Sequence, residues 1–267
     1  MRADEVIARI EAEGSWVDWC HTRDIVLAGD PGREVARIGV AWMATMAAVR
    51  EADRRHVDLF ITHENPFYAP TTQPFRIVER LREEKRSLIN RTGMVVYRCH
   101  DLWDKIPSVG VADQWARALG LRCRRDFSSY IQHATIDETP LGVFAARCAD
   151  ALAPYGEDAV GVFGDLERPV REIGLGTGAA TDICEMLKEP CDACIVADDG
   201  ISNYHDVQIA LDAGVSLIVV NHACCEKPGI DSMVFWLRDK FTDSDVVRLD
   251  EGYTIHTVRA SGAHILV

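Results

Sequence analysis

Short apolar strands alternating with helices predict an α/β fold with a largely parallel sheet. Two observations carry this. Runs of about four to eight apolar, often β-branched residues recur along the chain, and most are followed by a stretch of helical spacing. A strand that must feed a helix and return beside its neighbour runs parallel to it.

The elements follow in order. Val35 to Trp42 (VARIGVAW) predicts a buried strand and Met43 to Arg55 a helix. Leu59 to Thr62 is a strand, followed by a loop rich in proline and aromatics. Phe75 to Asn90 has helical periodicity, Met94 to Cys99 (MVVYRC) is a strand, and Val109 to Leu119 is helical with Gly120 as its cap. Ser129 to Ile136 then predicts a strand and Leu141 to Leu152 a helix. Glu172 to Leu175, Thr181 to Leu187, Ala193 to Ala197, His205 to Ala213 and Leu217 to Val220 continue the alternation. A helix over Ile230 to Phe241 and a strand over Thr254 to Arg259 complete it. The expected organisation is two intertwined three-layer α/β lobes, the first spanning 1–124 plus 227–267 and the second 125–226.

The chain has 267 residues, of which 48% are hydrophobic and 27% charged, so a substantial core can form. Its net charge of −13 repels phosphate backbones, which disfavours nucleic acid as a partner. No apolar run approaches the ~18–20 residues of a membrane span. Met1 to Glu13 is charged and helix-like, unlike a signal peptide, so a cytoplasmic location with reduced cysteines is expected. The nine cysteines are scattered. Cys191 and Cys194 form a lone C-x-x-C. A zinc ribbon needs a second spaced pair, and Cys224 and Cys225 are adjacent, so small core residues are the expectation.

Three apolar strands end in histidine: LFIT leads to His63, MVVYRC to His100 and LIVVN to His222. Ligands in open α/β sheets bind beyond the carboxyl ends of the strands. Each histidine has a carboxylate nearby: Glu64 beside His63, Asp104 four residues past His100, and Glu226 four past His222. Residues four apart share a face if a helix starts there. Imidazole and carboxylate together suit Zn, Fe or Mn. A single strand-terminal histidine is more often a hydrogen-bonded structural residue. Three of them, each beside a carboxylate, point to a metal site.

These residues carry a resemblance. ITHENPF (Ile61 to Phe67), VVYRCHDLWD (Val95 to Asp104) and LIVVNHACCEKPG (Leu217 to Gly229) resemble, in order and spacing, the motifs of the NIF-three-like family of dinuclear-metal proteins, which includes the GTP cyclohydrolase I type 2 homologs. REIGLGTGAATD (Arg171 to Asp182) and IVADDGISNYHD (Ile195 to Asp206) are similar to its second half. The resemblance implies two divalent ions per chain in a cleft between the lobes, held by His63, Glu64, Asp104, His222 and Glu226. It also implies a homo-oligomer, a hexameric ring. Glu64 departs from the family's second histidine and Asn221 from its glycine. A glutamate still ligates, and as a harder ligand it shifts preference toward Mn or Fe.

His100 lies outside the family's ligand set. It is the candidate for proton transfer, with a hydrogen bond that orients a ligand as the alternative. Asp198, Asp199, Asn203 and His205 are candidates to line the same cleft, or else belong to a solvated loop. His133 is a weaker candidate. His21, His56, His256 and His264 are expected at the surface or in structural roles. Gly174, Gly176 and Gly178 lack the spacing of a dinucleotide fingerprint and the Lys-Ser/Thr of a P-loop, so a tight strand-to-helix turn is expected there.

The expected function is a metal-dependent hydrolase acting on a small molecule. By the resemblance that molecule is a nucleotide, a related heterocycle or a phosphoester. Two other classes use the same ligands: a metal carrier or cofactor-assembly protein, and a regulatory scaffold with a vestigial site.

Overall fold

A computed structural model describes residues 1–68, 75–124, 126–201 and 203–258. Of these, 1–117, 126–130 and 226–253 form one compact unit, and 118–124, 131–225 and 254–258 form another.

The first unit opens with α1 (Ala3–Glu11), β1 (Ile25–Ala28), β2 (Arg37–Ala41), α2 (Met46–Arg54), β3 (Leu59–Thr62), α3 (Arg76–Thr92), β4 (Val95–Arg98), α4 (Asp101–Lys105) and α5 (Val111–Ala118). The second unit carries β5 (Gln132–Pro140), α6 (Leu141–Leu152), β6 (Gly161–Phe163), β7 (Pro169–Leu175), α7 (Ile183–Met186), β8 (Ala193–Ala197), α8 (Tyr204–Asp212) and β9 (Ser216–Val220). Helix α9 (His222–Lys240) begins in the second unit and returns the chain to the first, which β10 (Asp245–Arg248) completes.

Each unit owns one five-stranded sheet. In the first the order is β1-β4-β3-β2-β10, with β1 antiparallel and the other four parallel. In the second it is β5-β7-β8-β9-β6. Strands β7, β8 and β9 are parallel there, and the two edge strands are antiparallel. The central strands β3 and β8 are buried along their whole length, as continuous apolar runs in parallel sheets should be. Small residues on α2 (Ala48, Val49, Ala52) let that helix sit closely over Phe60 and Val96. On the second sheet, Ile183 and Met186 of α7 and Val207 and Ala210 of α8 pack with Cys194, Val196 and Leu217. No helix among the described residues is long and apolar enough to cross a membrane.

Several expectations shift. The strand foreseen at 129–136 is β5, displaced to 132–140. The strand foreseen at 254–259 is absent from 254–258, and Arg259 lies outside the described residues, as does His264. Thr254, His256, Thr257 and Val258 are exposed, so the alternating pattern there has no sheet to join. The closing strand is instead β10, which pairs in parallel with β2 (Val246 opposite Ile38). The short edge strands β1 and β6 were not foreseen, because three or four residues carry little periodicity. Gly174 ends up inside β7, so only Gly176 and Gly178 belong to the turn after it.

Helix α9 begins at His222, eight residues earlier than its pattern suggested, and runs through Pro228 and Gly229. Proline forfeits the hydrogen bond to the Cys224 carbonyl and usually ends a helix. Here tertiary contacts override that signal. The Gly229 carbonyl accepts from Trp103 Nε1 at 2.8 Å. A β-carbon on Gly229 would stand 2.5 Å from the Val111 Cα at the start of α5. Gly229→Ala is therefore expected to force α5 off α9 and lower stability by about 1–3 kcal/mol, read as a drop in the urea midpoint. An unchanged midpoint would show that this close approach does not hold in solution.

Candidate metal centre

The site of the first unit is built at the carboxyl ends of β2, β3 and β4, where the parallel register brings the strand ends side by side. Thr62 pairs with Arg98 and Ala41 with Thr62. The residues just past those ends are therefore neighbours: Trp42, His63 with Glu64, and Cys99 with His100.

His63 is the centre of the arrangement. Its side chain is fully buried. Nδ1 lies 3.1 Å from the Cys99 carbonyl, which fixes the ring and suits an Nδ1–H donor. Nε2 then faces two carboxyl groups, Asp104 Oδ1 at 3.3 Å and Glu226 Oε2 at 3.4 Å. Neither approach has the alignment of a hydrogen bond, so this buried nitrogen is left without one. A buried polar atom without a partner is costly. A divalent cation between imidazole and carboxylates would satisfy all three groups, so these residues fit such an ion.

His100 stacks on His63, the rings 4.5 Å apart and tilted by only 6°. Its Nδ1 lies 3.0 Å from Asp101 Oδ1 and 3.1 Å from Asp104 Oδ2, and its Nε2 is 3.7 Å from Glu64 Oε1. Ligand-type atoms of His63, His100 and Asp104 all fall within 4.8 Å of one another, and so do those of Glu64 and Glu226. Helix α4 is only five residues long, and it brings Asp104 back over His100. Asp24 holds its start, accepting from the backbone N–H groups of His100 (2.7 Å) and Leu102 (3.1 Å). Trp42 Nε1 donates to Glu226 Oε2 at 2.7 Å and aims that carboxyl. Arg98 donates through Nε to the His63 carbonyl and through Nη2 to Glu64 Oε2, both at 3.1 Å.

The electrostatics follow from this packing. Burial and the neighbouring His100 disfavour the imidazolium of His63, but Asp104 and Glu226 together outweigh them and raise the pKa to about 9. Burial also disfavours the His100 cation, and Asp104, Asp101 and Glu64 together hold its proton well above the usual range. Burial opposes ionisation of Glu64, yet His100, His63 and Arg98 bring it down to about 2. Asp104 is held far below the usual carboxylate range by the two histidines, against the cost of its burial.

His222 opens α9 and stands one turn before Glu226 on it. In its own unit its backbone N–H donates to Asp198 Oδ1 (3.0 Å), and its Nδ1 lies 2.8 Å from Asp199 Oδ2. Asn221 donates from its backbone N–H to the Glu157 carboxylate (2.8 and 2.9 Å) and from Nδ2 to Asp198 Oδ2 (2.9 Å). Asp198 and Asp199 thus orient the segment that carries His222. Asn203 is the N-cap of α8, accepting from the backbone N–H of His205, whose side chain is exposed. His133 sits beside Cys191. His21, His56 and His256 are exposed.

Four contributors were not foreseen: Trp42, Arg98, Asp101 and Asp24. Trp42 ends an apolar strand just as the three histidines do, so the same signal applied to it. Arg98 and Asp101 lie inside the stretch that singled out His100. Asp24 acts from 76 residues away, and nothing local marks it.

A family profile described as Duf34/NIF3 (NGG1p interacting factor 3) matches residues 18–251. A Pyrococcus abyssi protein named GTP cyclohydrolase 1 type 2 homolog is 26% identical over 214 residues, covering 78% of this chain and 82% of its own. A Bacillus cereus protein related to NIF3 shares the fold with a TM-score of 0.77 at 13% identity, over 97% of this chain and 99% of that one. The Thermus thermophilus protein TTHA1606 gives 0.73 at 22% identity, over 94% and 98%.

If Trp42 aims Glu226 at a bound ion, Trp42→Phe should keep the packing and weaken divalent-ion affinity about tenfold or more. Isothermal titration of the chelator-stripped protein reads this. Unchanged affinity would remove Trp42 from the site.

Proposed function

This chain belongs to the Duf34/NIF3 family, and from that premise we propose that it is a dinuclear metal protein acting as a hydrolase on a nucleotide, a related heterocycle or a phosphoester. The observation that carries the reading is the unbonded Nε2 of buried His63 facing the carboxyl groups of Asp104 and Glu226. His63, Glu64, Asp104, His222 and Glu226 are the ligands the resemblance implies, and His63, Asp104 and Glu226 are the three that would hold an ion within the first unit. Zn, Fe and Mn all suit this donor set, and the carboxylate of Glu64 favours the harder ions. The name of the Pyrococcus abyssi relative supports a nucleotide-like substrate.

When bound, divalent ions in such a site polarise substrate oxygens and make water more acidic. The chain's own residues supply the rest. Cys99 and Trp42 keep the ligand atoms pointed inward. Asp24 fixes the turn that presents His100 and Asp104. His100 is the proton carrier. Its Nδ1 is anchored between Asp101 and Asp104, which leaves Nε2, on the side of Glu64, to hold a proton and give it to a leaving group.

Turnover of a nucleotide and phosphoester panel by metal-loaded protein tests this. Asp104→Asn should lose both metal and activity. His100→Gln should keep the metal content while turnover falls about 10²–10⁴-fold. Metal loss in His100→Gln would make His100 a ligand instead. No metal-dependent turnover across the panel would sink the hydrolase reading, and transfer of the ion to an acceptor protein would then favour a carrier.

Metal affinity should also depend on pH. His63 must surrender its proton to bind an ion, and that proton is held up to about pH 9 in the metal-free fold. Because the folded pKa is raised, the proton stabilises the metal-free protein fully below about 6.5. That contribution fades as pH rises through 9. Affinity for the ion should tighten over the same window, by up to about tenfold per pH unit, and level off above it. Flat affinity between pH 6.5 and 9 would contradict a protonated His63.

A further inference from the structure

Cys191 and Cys194 lie in the second unit, outside the metal centre, and three neighbouring strands frame them. His133 on β5 is in register with Gly174 on β7, and Gly174 with Cys194 on β8. Gly174 therefore sits between an imidazole and a thiol. A glycine inside a strand weakens it and marks a place where something else needs the room. Here the occupants are sulfur atoms. A β-carbon on Gly174 would stand 3.0 Å from Cys194 Sγ and 3.2 Å from Cys191 Sγ.

The cysteine pair differs from ordinary core packing. Cys194 is fully buried, whereas Cys191 is only half-buried and so open to a reagent. The two sulfur atoms converge beside Gly174, both within 3.2 Å of where its β-carbon would stand. Cys191 Sγ also lies 3.5 Å from His133 Nδ1. The turn between the cysteines is pinned. The Asp192 carboxylate accepts from the backbone N–H groups of Arg171 and Glu172, both at 2.8 Å, and its own backbone N–H donates to the Glu172 carbonyl at 2.7 Å.

From this geometry we propose that Cys191 and Cys194 are a redox-active dithiol, with Cys191 as the attacking thiol, Cys194 as the resolving thiol and low-molecular-weight disulfides as the co-substrate class. The thiolate of Cys191 attacks one sulfur of the small disulfide. A mixed disulfide forms and the first small thiolate leaves. Cys194 then attacks Cys191 Sγ, closing the intramolecular disulfide and expelling the second small thiolate. The two protons from the cysteines end on the two released thiols, and the two electrons pass from the protein to the oxidant. His133 Nδ1, unprotonated in the Nε2–H tautomer, is placed to take the Cys191 proton.

The acidities are consistent with this order. The neighbouring Cys194 thiol lowers the Cys191 pKa, and Cys191 together with burial raises that of Cys194. Burial lowers the His133 pKa, which leaves it a neutral acceptor. A nucleophile more acidic than its buried partner is the pattern of exchanging pairs.

The test exposes native protein to oxidised glutathione, quenches with alkylating agent and maps the cysteines by fragment mass spectrometry. A Cys191–Cys194 disulfide should form ahead of any other and revert with dithiothreitol. Cys194→Ala should trap the glutathione adduct on Cys191. His133→Asn should slow the first step by about three- to tenfold. Cys191→Ser, at a half-buried position, should keep the native circular dichroism and abolish the disulfide. The proposal is overturned if both thiols remain alkylatable, if adducts gather only on the exposed Cys20 and Cys184, or if wild-type protein keeps a lasting adduct on Cys191.

Discussion

The first unit's chemistry depends on one constraint, the burial of His63 with one ring nitrogen bonded and the other facing carboxyl groups without a hydrogen bond. Nδ1 lies against the Cys99 carbonyl and Nε2 points at Asp104 and Glu226. The ring cannot turn without losing the first contact, and it cannot be left as it is without stranding the second nitrogen. Proton and metal ion are the two cations that resolve this, and they compete for the same lone pair. The raised pKa of His63 and the fit to an ion therefore express one local excess of carboxylate.

That constraint is set by the sheet. Parallel register places the ends of β2, β3 and β4 together, so Trp42, His63 and Cys99 arrive as neighbours without any loop having to find them. Loops then add what the strands cannot. The turn held by Asp24 folds Asp104 back over His100, and α9 delivers Glu226. The long course of α9 through Pro228 and Gly229 follows from the same need. Ending the helix at the proline would free the segment that seats Glu226 against Trp42.

Much of this was legible in the sequence. Central strands such as Leu59–Thr62 and Ala193–Ala197 are continuous apolar runs, and their ends are marked by polar residues that cannot be buried within a sheet. The strand-terminal His63 and His100 were marked by their position, and the fold brings them together with Asp104 and Glu226. What escaped notice lacked a local signature. Strands β1 and β6 are three or four residues long at sheet edges. Strand β10 owes its place to pairing with β2, 208 residues away in sequence. Asp24 is an ordinary acidic residue until the fold sets it beneath two backbone amides.

Glu64, where the sequence resemblance implies a histidine, shows how an added charge can be absorbed. A carboxylate in place of imidazole adds negative charge to a pocket that already holds Asp104 and Glu226. Arg98 answers that charge from β4, one strand over, and also grips the carbonyl of His63. The same guanidinium thus neutralises the new group and steadies the old one. An Arg–carboxylate contact of this kind keeps Glu64 ionised and oriented, as a ligand must be. An ion that took Glu64 would have to share it with Arg98. An ion that contacts Glu64 is therefore expected to bind more weakly than one held by the imidazole of His63.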